Sequence, residues 1–214
     1  MSEGLRERKK RRTREALVAA AVELFQRQGY EATTVAQIAA AADVSTRTFF
    51  LHFGTKEDVV LANADARIEQ GVRIVEEREA GETLPDVLAR VIEHTIGDVS
   101  GSDLVTGLAD VRVRLALTVP ELQAWLMRRL LFAQERIVEA LCGSYPEERD
   151  VVDVAALVGG MMGAVTSAAA YALRRGDPPA EVAAAMRRAA ATAAAMGAAF
   201  EGGVRGPKRG ADLG

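Results

Sequence analysis

Two short helical segments separated by three residues restrict the fold of this chain more than any other feature. The first begins at Thr34, and Thr34 and Gln37 have the spacing of a capping box. The second covers about 46–53, with Ser45 as its N-cap and Gly54 directly after it. Helices this short are unstable alone, so longer helices must hold them in place. The layout is that of a helix-turn-helix.

Longer helical segments surround this pair. Apolar residues spaced three and four apart predict a helix over 13–28 before it and another over 55–79 after it. The same spacing predicts five more helices further along the chain, over about 84–99, 104–118, 120–142, 151–175 and 179–200. The chain is therefore expected to be all-α, with about nine helices.

Charge is distributed unevenly along the chain. Residues 1–14 contain seven basic and two acidic side chains and carry +5, whereas the whole chain carries −3. The remaining residues therefore carry −8, so a basic end precedes an acidic body. This asymmetry indicates that one end of the molecule meets an anion, although a solvated basic tail would have the same composition.

Several classes of protein are disfavoured by composition. The single cysteine, Cys142, excludes an internal disulfide and a cysteine-rich zinc site. We see neither an uninterrupted apolar stretch of about 18 residues nor an apolar signal core after the charged start. We therefore expect a cytoplasmic protein with no membrane partner, metal or cofactor.

The second short segment has two distinct faces. Phe49 and Phe53 lie four residues apart, so both are expected to pack inward. The residues left to face outward are Thr46, Arg47, Thr48, Phe50, Leu51 and His52. In a major groove, Arg47 can pair with guanine O6 and N7, and the threonines can contact base edges or a thymine methyl group.

Other residues are candidate anchors on the DNA backbone. Thr34 can offer its hydroxyl and nearby backbone N–H groups to a phosphate, and Lys56 can offer its ammonium. Ser45 stands at the start of the second segment and joins the candidate DNA-binding set. From the basic end, Arg11 and Arg12 can contact the minor groove or the phosphates.

Each assignment has a structural alternative. Arg47 could be a solvated surface side chain, and His52 could serve only the end of its helix. Phe50 could face the core. Lys56 could act on its own helix, although a cation is unfavourable at a helix N-terminus, which favours the phosphate role.

Residues 33–57 closely resemble the DNA-binding region of TetR-family regulators. The shared features are a Thr-capped helix containing Ile38-Ala39, a turn with Val44-Ser45, and a second helix ending with His52-Phe53, followed by Lys56-Glu57. The resemblance covers about residues 12–60. Many relatives have Tyr at the position of Phe50, so a phosphate contact from that hydroxyl is expected to be missing here.

The resemblance implies a homodimer formed by the last two predicted helices, about 151–200. From 155 to 199, 19 of 45 residues are alanine, which allows close helix packing within or between chains. It also implies a pocket for an unknown small hydrophobic effector. The candidate pocket residues are Ile92, Leu108, Arg112, Leu115, Trp125, Leu126, Met161, Met162 and Thr166. An inward Arg112 would need an anionic ligand or a buried acid as its partner.

With this resemblance, the chain divides into four parts. They are a basic N-terminal arm (1–12), a helix-turn-helix DNA-binding domain (13–58), a ligand-binding and dimerisation domain (59–200) and a disordered tail (201–214). The implied function is that of a ligand-responsive transcriptional regulator of operator DNA, most simply a repressor released by its effector.

Two other classes of function compete with this one. An enzyme on a di-iron helical bundle would need Glu-x-x-His pairs, and neither His52 nor His94 has Glu three residues earlier. We see no other catalytic motif, so we expect no enzyme. A scaffold or ligand-sequestering protein that has lost DNA binding is disfavoured by the intact segment from Thr34 to Lys56.

Overall fold

The computed structural model describes residues 4–146 and 150–204, with side chains as far as Met196 in the last helix. These residues form eleven helices and no strand, which confirms the all-α class. The helices are α1 (Leu5–Gln28), α2 (Val35–Ala41), α3 (Thr46–Phe50), α4 (Lys56–Val60), α5 (Ala64–Glu76), α6 (Leu84–Gly101), α7 (Asp103–Thr106), α8 (Leu108–Thr118), α9 (Pro120–Ser144), α10 (Val151–Arg174) and α11 (Pro179–Val204).

Eleven helices replace the nine expected because two predicted helices are each divided. The segment 55–79 is broken between α4 and α5, where Asn63 adopts a left-handed conformation with φ 70°. Asn adopts this conformation at lower cost than most residues. The segment 104–118 is divided at Gly107, with φ 77°. Glycine adopts this left-handed conformation at little cost, whereas a residue with a Cβ would be strained there.

The ends of the first and last helices also differ from the prediction. Helix α1 begins at Leu5 rather than at residue 13, so residues 5–12 of the predicted arm are helical. These residues are Leu, Arg, Glu and Lys, all strong helix formers, which explains the longer helix. Helix α11 continues to Val204, and residues 205–214 of the predicted tail lie outside the described residues.

An N-terminal core holds α1 to α4 together. Leu17, Ile38, Phe49 and Val59 are completely buried in it. Four side chains from α8 and α9 complete this core: Leu108, Val111, Leu115 and Leu122. The core therefore extends beyond residue 58, and α8 supports the helix-turn-helix directly.

A C-terminal core lies among α5, α6, α9, α10 and α11. Its deepest members include Val75, Val87, Ile96, Leu141 and Val158. Helices α10 and α11 pack along each other, and α11 also packs against α6. This larger body is separate from the helix-turn-helix core but is joined to it by the ion pairs described next.

A buried carboxylate links the two cores. Asp103 is 1% exposed, and its two oxygens accept hydrogen bonds from Arg67 at 2.7 and 2.8 Å. Arg112 donates to the same carboxylate at 2.8 Å. Burial alone would raise the pKa of Asp103, but the hydrogen bonds and charges of Arg67 and Arg112 lower it, so the carboxylate stays ionised.

Arg112 also reaches the break between α4 and α5. Its Nε donates to the carbonyl of Val60 at 2.9 Å. In a continuous helix the N–H of Ala64 would serve that carbonyl, but here it donates to Leu61 at 3.0 Å. The arginine therefore satisfies a backbone group that the break releases, and it ties the end of α4 to α8.

Replacing Asp103 with Asn should destabilise the fold strongly. The substitution leaves the partly buried Arg112 without an anion and Arg67 with only its ion pair to Asp98, and removal of one partner from a buried pair costs about 3–5 kcal/mol. Urea denaturation followed by circular dichroism measures the free energy of unfolding. The control is Asp110→Asn, since Asp110 pairs with Arg114 at a half-exposed site and its loss should cost about 1 kcal/mol or less. Equal effects of the two substitutions would contradict the role given to Asp103.

Candidate nucleic-acid interface

The helix-turn-helix is closed by the predicted caps. The Thr34 hydroxyl accepts from the Gln37 N–H at 3.2 Å, and the Gln37 side chain accepts from the Thr34 N–H at 2.9 Å, which completes a capping box. The Ser45 hydroxyl accepts from the Thr48 N–H at 3.1 Å. The turn between α2 and α3 contains Asp43 in a left-handed conformation with φ 55°. The turn and both helix starts are thus set by local sequence.

The inner face of α3 is aromatic, as predicted. Phe49 is completely buried and Phe53 is 4% exposed, with their ring centroids 5.7 Å apart. Helix α3 itself ends at Phe50, but the Phe53 N–H still donates to the Phe49 carbonyl at 2.9 Å. Burial of these two rings places the opposite side of α3 in solvent.

The outer face of α3 carries most of the residues predicted for it. Thr46 and Arg47 are exposed. Phe50 and Leu51 are 58% and 73% exposed, which decides against a core-facing Phe50. The Phe50 ring stands edge-on to Phe49, with centroids 5.5 Å apart. The surface therefore combines one cation, threonine hydroxyls and two apolar side chains.

Two hydroxyls of the predicted set also serve the fold. Ser45 is exposed and Thr48 is half-buried, and their side-chain oxygens lie 2.9 Å apart. Thr34 is exposed at the start of α2 while its backbone N–H and hydroxyl both engage Gln37. If these groups contact DNA, they must do so while they also form the hydrogen bonds of the helix caps.

His52 lies at the junction of α3 and α1. Its backbone carbonyl accepts a hydrogen bond from Arg14 at 3.0 Å, and the Arg14 guanidinium lies 4.2 Å from the centroid of the Phe53 ring. Partial burial and the positive charges of Arg14 and Lys10 lower the pKa of His52, which favours the neutral imidazole. The surroundings of this histidine are thus cationic.

Lys56 has a structural role that its sequence position does not reveal. Its Nζ donates to the carbonyls of Tyr30 and Thr33, at 3.0 and 3.1 Å, and lies 4.1 Å from the centroid of the Tyr30 ring. The Tyr30 hydroxyl donates to the Glu57 carboxylate. Burial and this hydrogen bond raise the pKa of Tyr30. Lys56 therefore ties α4 to the turn between α1 and α2, and a phosphate would compete with two carbonyls for it.

Arg11 and Arg12 are both exposed on α1. Arg11 pairs with Glu15 at 3.5 Å, one helical turn further along. Because this part of α1 is helical, successive basic residues point in different directions around the axis. Their positions on the helix, and not their number alone, decide which of them face the recognition surface.

The predicted pocket residues do not share one core. Ile92 and Met161 are buried in the C-terminal core, with Met162 packed against it. Leu108 and Leu115 belong to the N-terminal core, with Trp125 at its edge. The other three are Leu126, which is half-buried, Thr166, which is exposed, and Arg112, which pairs with Asp103. Helical periodicity identified inward positions correctly for most of these residues but could not assign them to one of two cores.

Two open grooves of the structure have walls that are polar and apolar in similar measure. One, of about 630 Å³, runs between the start of α4 and the start of α9 and includes Lys56, Glu57, Trp125 and Arg128. Another, of about 440 Å³, lies between α5 and α9 beside Arg136. Of the predicted pocket residues, Trp125 lines the first of these grooves. Neither groove has the mostly apolar lining of a site for a hydrophobic molecule.

The sequence counted Lys10 and Arg14 among the basic residues of the N-terminal segment but gave neither an individual role, and it gave none to Arg67 or Asp103. Arg14 could have been found, because it lies seven residues before the buried Ala21 and so on the inner face of α1. Asp103 gave no local signal, since its partners lie elsewhere in the chain. Among residues 4–146 and 150–196 we find no group of three or more His, Cys, Asp and Glu side chains placed to hold a metal ion.

Comparison with known proteins identifies this arrangement. Residues 17–62 match the family profile described as bacterial regulatory proteins, tetR family. The regulator TcmR of Streptomyces glaucescens is 43% identical over 129 residues, which cover 59% of this chain and 57% of TcmR. The helix-turn-helix of this chain is that of the TetR family. This is a family of transcriptional regulators, in agreement with the expectation that the chain is not an enzyme.

The curated TetR relatives match over part of their length. The match spans little more than half of TcmR, and the regulator HbdR of Aromatoleum is 45% identical over 47 residues, 22% of this chain and 20% of HbdR.

Solved structures confirm the TetR fold over most of the chain. SmeT in complex with triclosan has a TM-score of 0.61 and 18% identity, and the match covers 94% of this chain and 99% of SmeT. FadR of Bacillus halodurans has a TM-score of 0.58 and 17% identity, covering 96% of this chain and 99% of FadR. Both comparisons extend the shared architecture beyond the helix-turn-helix.

Lys56→Met and Arg47→Ala should differ in their effect on the free energy of unfolding, because Lys56 supports the fold whereas Arg47 is a candidate for contacts with DNA bases. Lys56→Met removes two hydrogen bonds from a charged donor and should lower the free energy of unfolding by about 2 kcal/mol. Arg47 is exposed, and Arg47→Ala should change it by about 0.5 kcal/mol or less. Urea denaturation of the two variants makes the comparison. A Lys56→Met variant as stable as the wild type would show that its carbonyl contacts contribute nothing.

Proposed function

We propose that this chain is a ligand-responsive transcriptional regulator of the TetR family that binds double-stranded operator DNA through α3. The observation that carries the proposal is the exposure of Thr46 and Arg47 on a short helix whose opposite side is clamped by Phe49 and Phe53. A helix-turn-helix presents the N-terminal residues of its second helix to base edges in the major groove.

The residues around α3 then divide by task. Arg47 reads a guanine, with Thr46 and Thr48 contacting neighbouring base edges. Phe50 and Leu51 supply apolar surface for thymine methyl groups or sugars. The proposed backbone contacts come from Thr34, Ser45, His52, Lys56 and one basic side of α1. Arg47 contributes more to discrimination between DNA sequences than these backbone contacts do, because it contacts a base edge through its guanidinium N–H groups.

We also propose that the regulator is a homodimer that pairs through α10 and α11. Helix α10 is long and apolar enough, by length and composition alone, to cross a membrane, yet only 22% of its apolar window is buried within the chain. Its exposed side includes Val152 and Tyr171, which are 69% and 67% exposed, and between them Gly160 faces open space. Small residues on such a face let a second helix approach closely. Two copies would place two recognition helices on one operator.

A small-to-large change at Gly160 should separate folding from pairing. Gly160→Gln raises helix propensity by roughly 0.5–1 kcal/mol within the chain, but its side chain would hold a partner helix away. Sedimentation velocity should show a dimer for the wild type and a shift towards monomer for the variant. Gly97→Gln is the matched control, since Gly97 is exposed on α6 and a Cβ there meets nothing within 4 Å. A Gly160→Gln variant that stays fully dimeric would place the interface elsewhere.

We propose further that the regulator is a cytoplasmic repressor released from its operator by a small hydrophobic effector. SmeT, whose fold this chain shares, was solved with triclosan. Of the predicted pocket residues, Ile92, Met161 and Met162 share the C-terminal core and are the first candidates for effector contacts. The buried Nη2 of Arg112 has no hydrogen-bond partner among the described residues, which makes it a candidate polar contact.

The switch would pass through the junction of α4, α5 and α8. Arg112 joins the carbonyl of Val60, at the end of α4, to Asp103. An effector that draws Arg112 away would release α4 and change the position of the recognition helix. Its influence is limited by its differential affinity for the two arrangements.

A gel-shift assay with the DNA upstream of the protein's own gene tests the proposed function. We expect retardation of at least one intergenic fragment at low salt, with affinity falling as salt is raised. Absence of retardation for every intergenic fragment tested would overturn the proposal.

Arg47→Ala should relax sequence preference at one base pair of each half-site. The loss of a bidentate contact to guanine is worth about 1–3 kcal/mol of discrimination. Competition between operator variants, each changed at one base pair, measures it. If the variant weakens binding to all sequences equally, Arg47 contacts a phosphate and the assignment of base reading is wrong.

A further inference from the structure

One face of α1 changes from apolar to cationic along its length. Lys10 lies seven residues before Leu17, and Arg14 lies seven before Ala21. A seven-residue step returns to within about 20° of the same face of a helix. Leu17 and Ala21 are completely buried. Lys10 and Arg14 therefore stand on the face by which α1 packs into the N-terminal core.

Arg6 extends this face by another turn. It lies eleven residues before Leu17, a step that also returns to within about 20° of the starting direction. Arg6 and Lys10 are exposed, while Arg14 is half-buried. We call Arg6, Lys10 and Arg14 the cationic face; Glu7, seven residues before Arg14, stands on the same face and offsets part of its charge.

The cationic face emerges beside the end of the recognition helix. Arg14 donates to the His52 carbonyl at 3.0 Å and lies over the Phe53 ring. Lys10 is close enough for its charge to act on His52. At 1.5 Å per residue, Arg6 stands about 12 Å further along the axis than Arg14. The first two turns of α1, which carry Arg6 and Lys10, thus extend from the N-terminal core on the side of the domain where α3 is exposed.

The opposite face of α1 is also basic but points elsewhere. Arg8 lies eleven residues, and Arg12 seven residues, before Ala19, which is exposed. These two arginines therefore stand on the side of α1 that faces solvent along the rest of the helix. Solvation is a sufficient explanation for them, whereas the cationic face continues a surface that is otherwise buried.

We propose that Arg6 and Lys10, held in register by Arg14, bind the phosphate backbone of DNA beside the segment read by α3. The proposal rests on the DNA-binding function proposed above. It replaces a flexible basic arm with a rigid helical one, which would engage phosphates without first being ordered. It also assigns the phosphate contact to one side of α1. Lys10 therefore contacts DNA and Arg12, on the opposite side, does not.

Two double variants with equal charge test the proposal. Arg6→Ala/Lys10→Ala removes two charges from the cationic face, and Arg8→Ala/Arg12→Ala removes two from the opposite face. Alanine preserves the helix in both. The measured quantity is the slope of log K against log salt concentration for a duplex that the wild-type protein retards. The slope is negative, and each lost phosphate contact should make its magnitude smaller by about 0.9.

In the proposed homodimer each of the two subunits loses two phosphate contacts, so we expect the magnitude of the slope to fall by about 3.6 for Arg6→Ala/Lys10→Ala and to be nearly unchanged for Arg8→Ala/Arg12→Ala. Equal reductions in both variants would overturn the proposal in favour of a basic segment without a preferred face. Unchanged slopes in both would show that α1 does not touch DNA. If the wild-type protein retards no duplex at low salt, the DNA-binding function itself fails and the cationic face fails with it.

Discussion

The burial of Phe49 and Phe53 is the interaction on which the DNA-reading surface depends. Helix α3 has five residues and α2 has seven, so neither is stable without tertiary contacts. Each large apolar side chain contributes roughly 1.5–3 kcal/mol when buried, more than the caps at Thr34 and Ser45 supply. Because the two rings occupy the inner side of α3, Thr46 and Arg47 have to face solvent. The surface proposed to contact DNA bases is thus the exposed side of α3, opposite the buried rings of Phe49 and Phe53.

The second constraint is the way in which this core is joined to the larger helical body. Asp103 holds Arg67 and Arg112, and Arg112 in turn serves the carbonyl that the break after Val60 releases. A buried ion pair of this kind contributes specificity of arrangement more than net stability. It gives the junction of α4, α5 and α8 a defined geometry, which is what a regulator needs if one arrangement is to bind DNA and another is not.

The parts of the structure that sequence could predict are those governed by local rules. The capping box at Thr34, the cap at Ser45 and the inward pair Phe49 and Phe53 depend on spacings of three and four residues. The break at Asn63 could not be predicted, because the carbonyl it frees is satisfied by an arginine 52 residues beyond Val60. The carbonyl contacts of Lys56 and the separation of the pocket candidates into two cores likewise arise from packing between distant segments.

The central claim is that α3 of each of two copies reads the major groove. A methylation-protection footprint tests it most directly, because it reports access to guanine N7 on the major-groove edge. The account predicts two clusters of protected guanines, whose centres are about 10 base pairs apart or a multiple of that distance. Protection confined to a single cluster, or to the minor-groove edge of adenines, would contradict it.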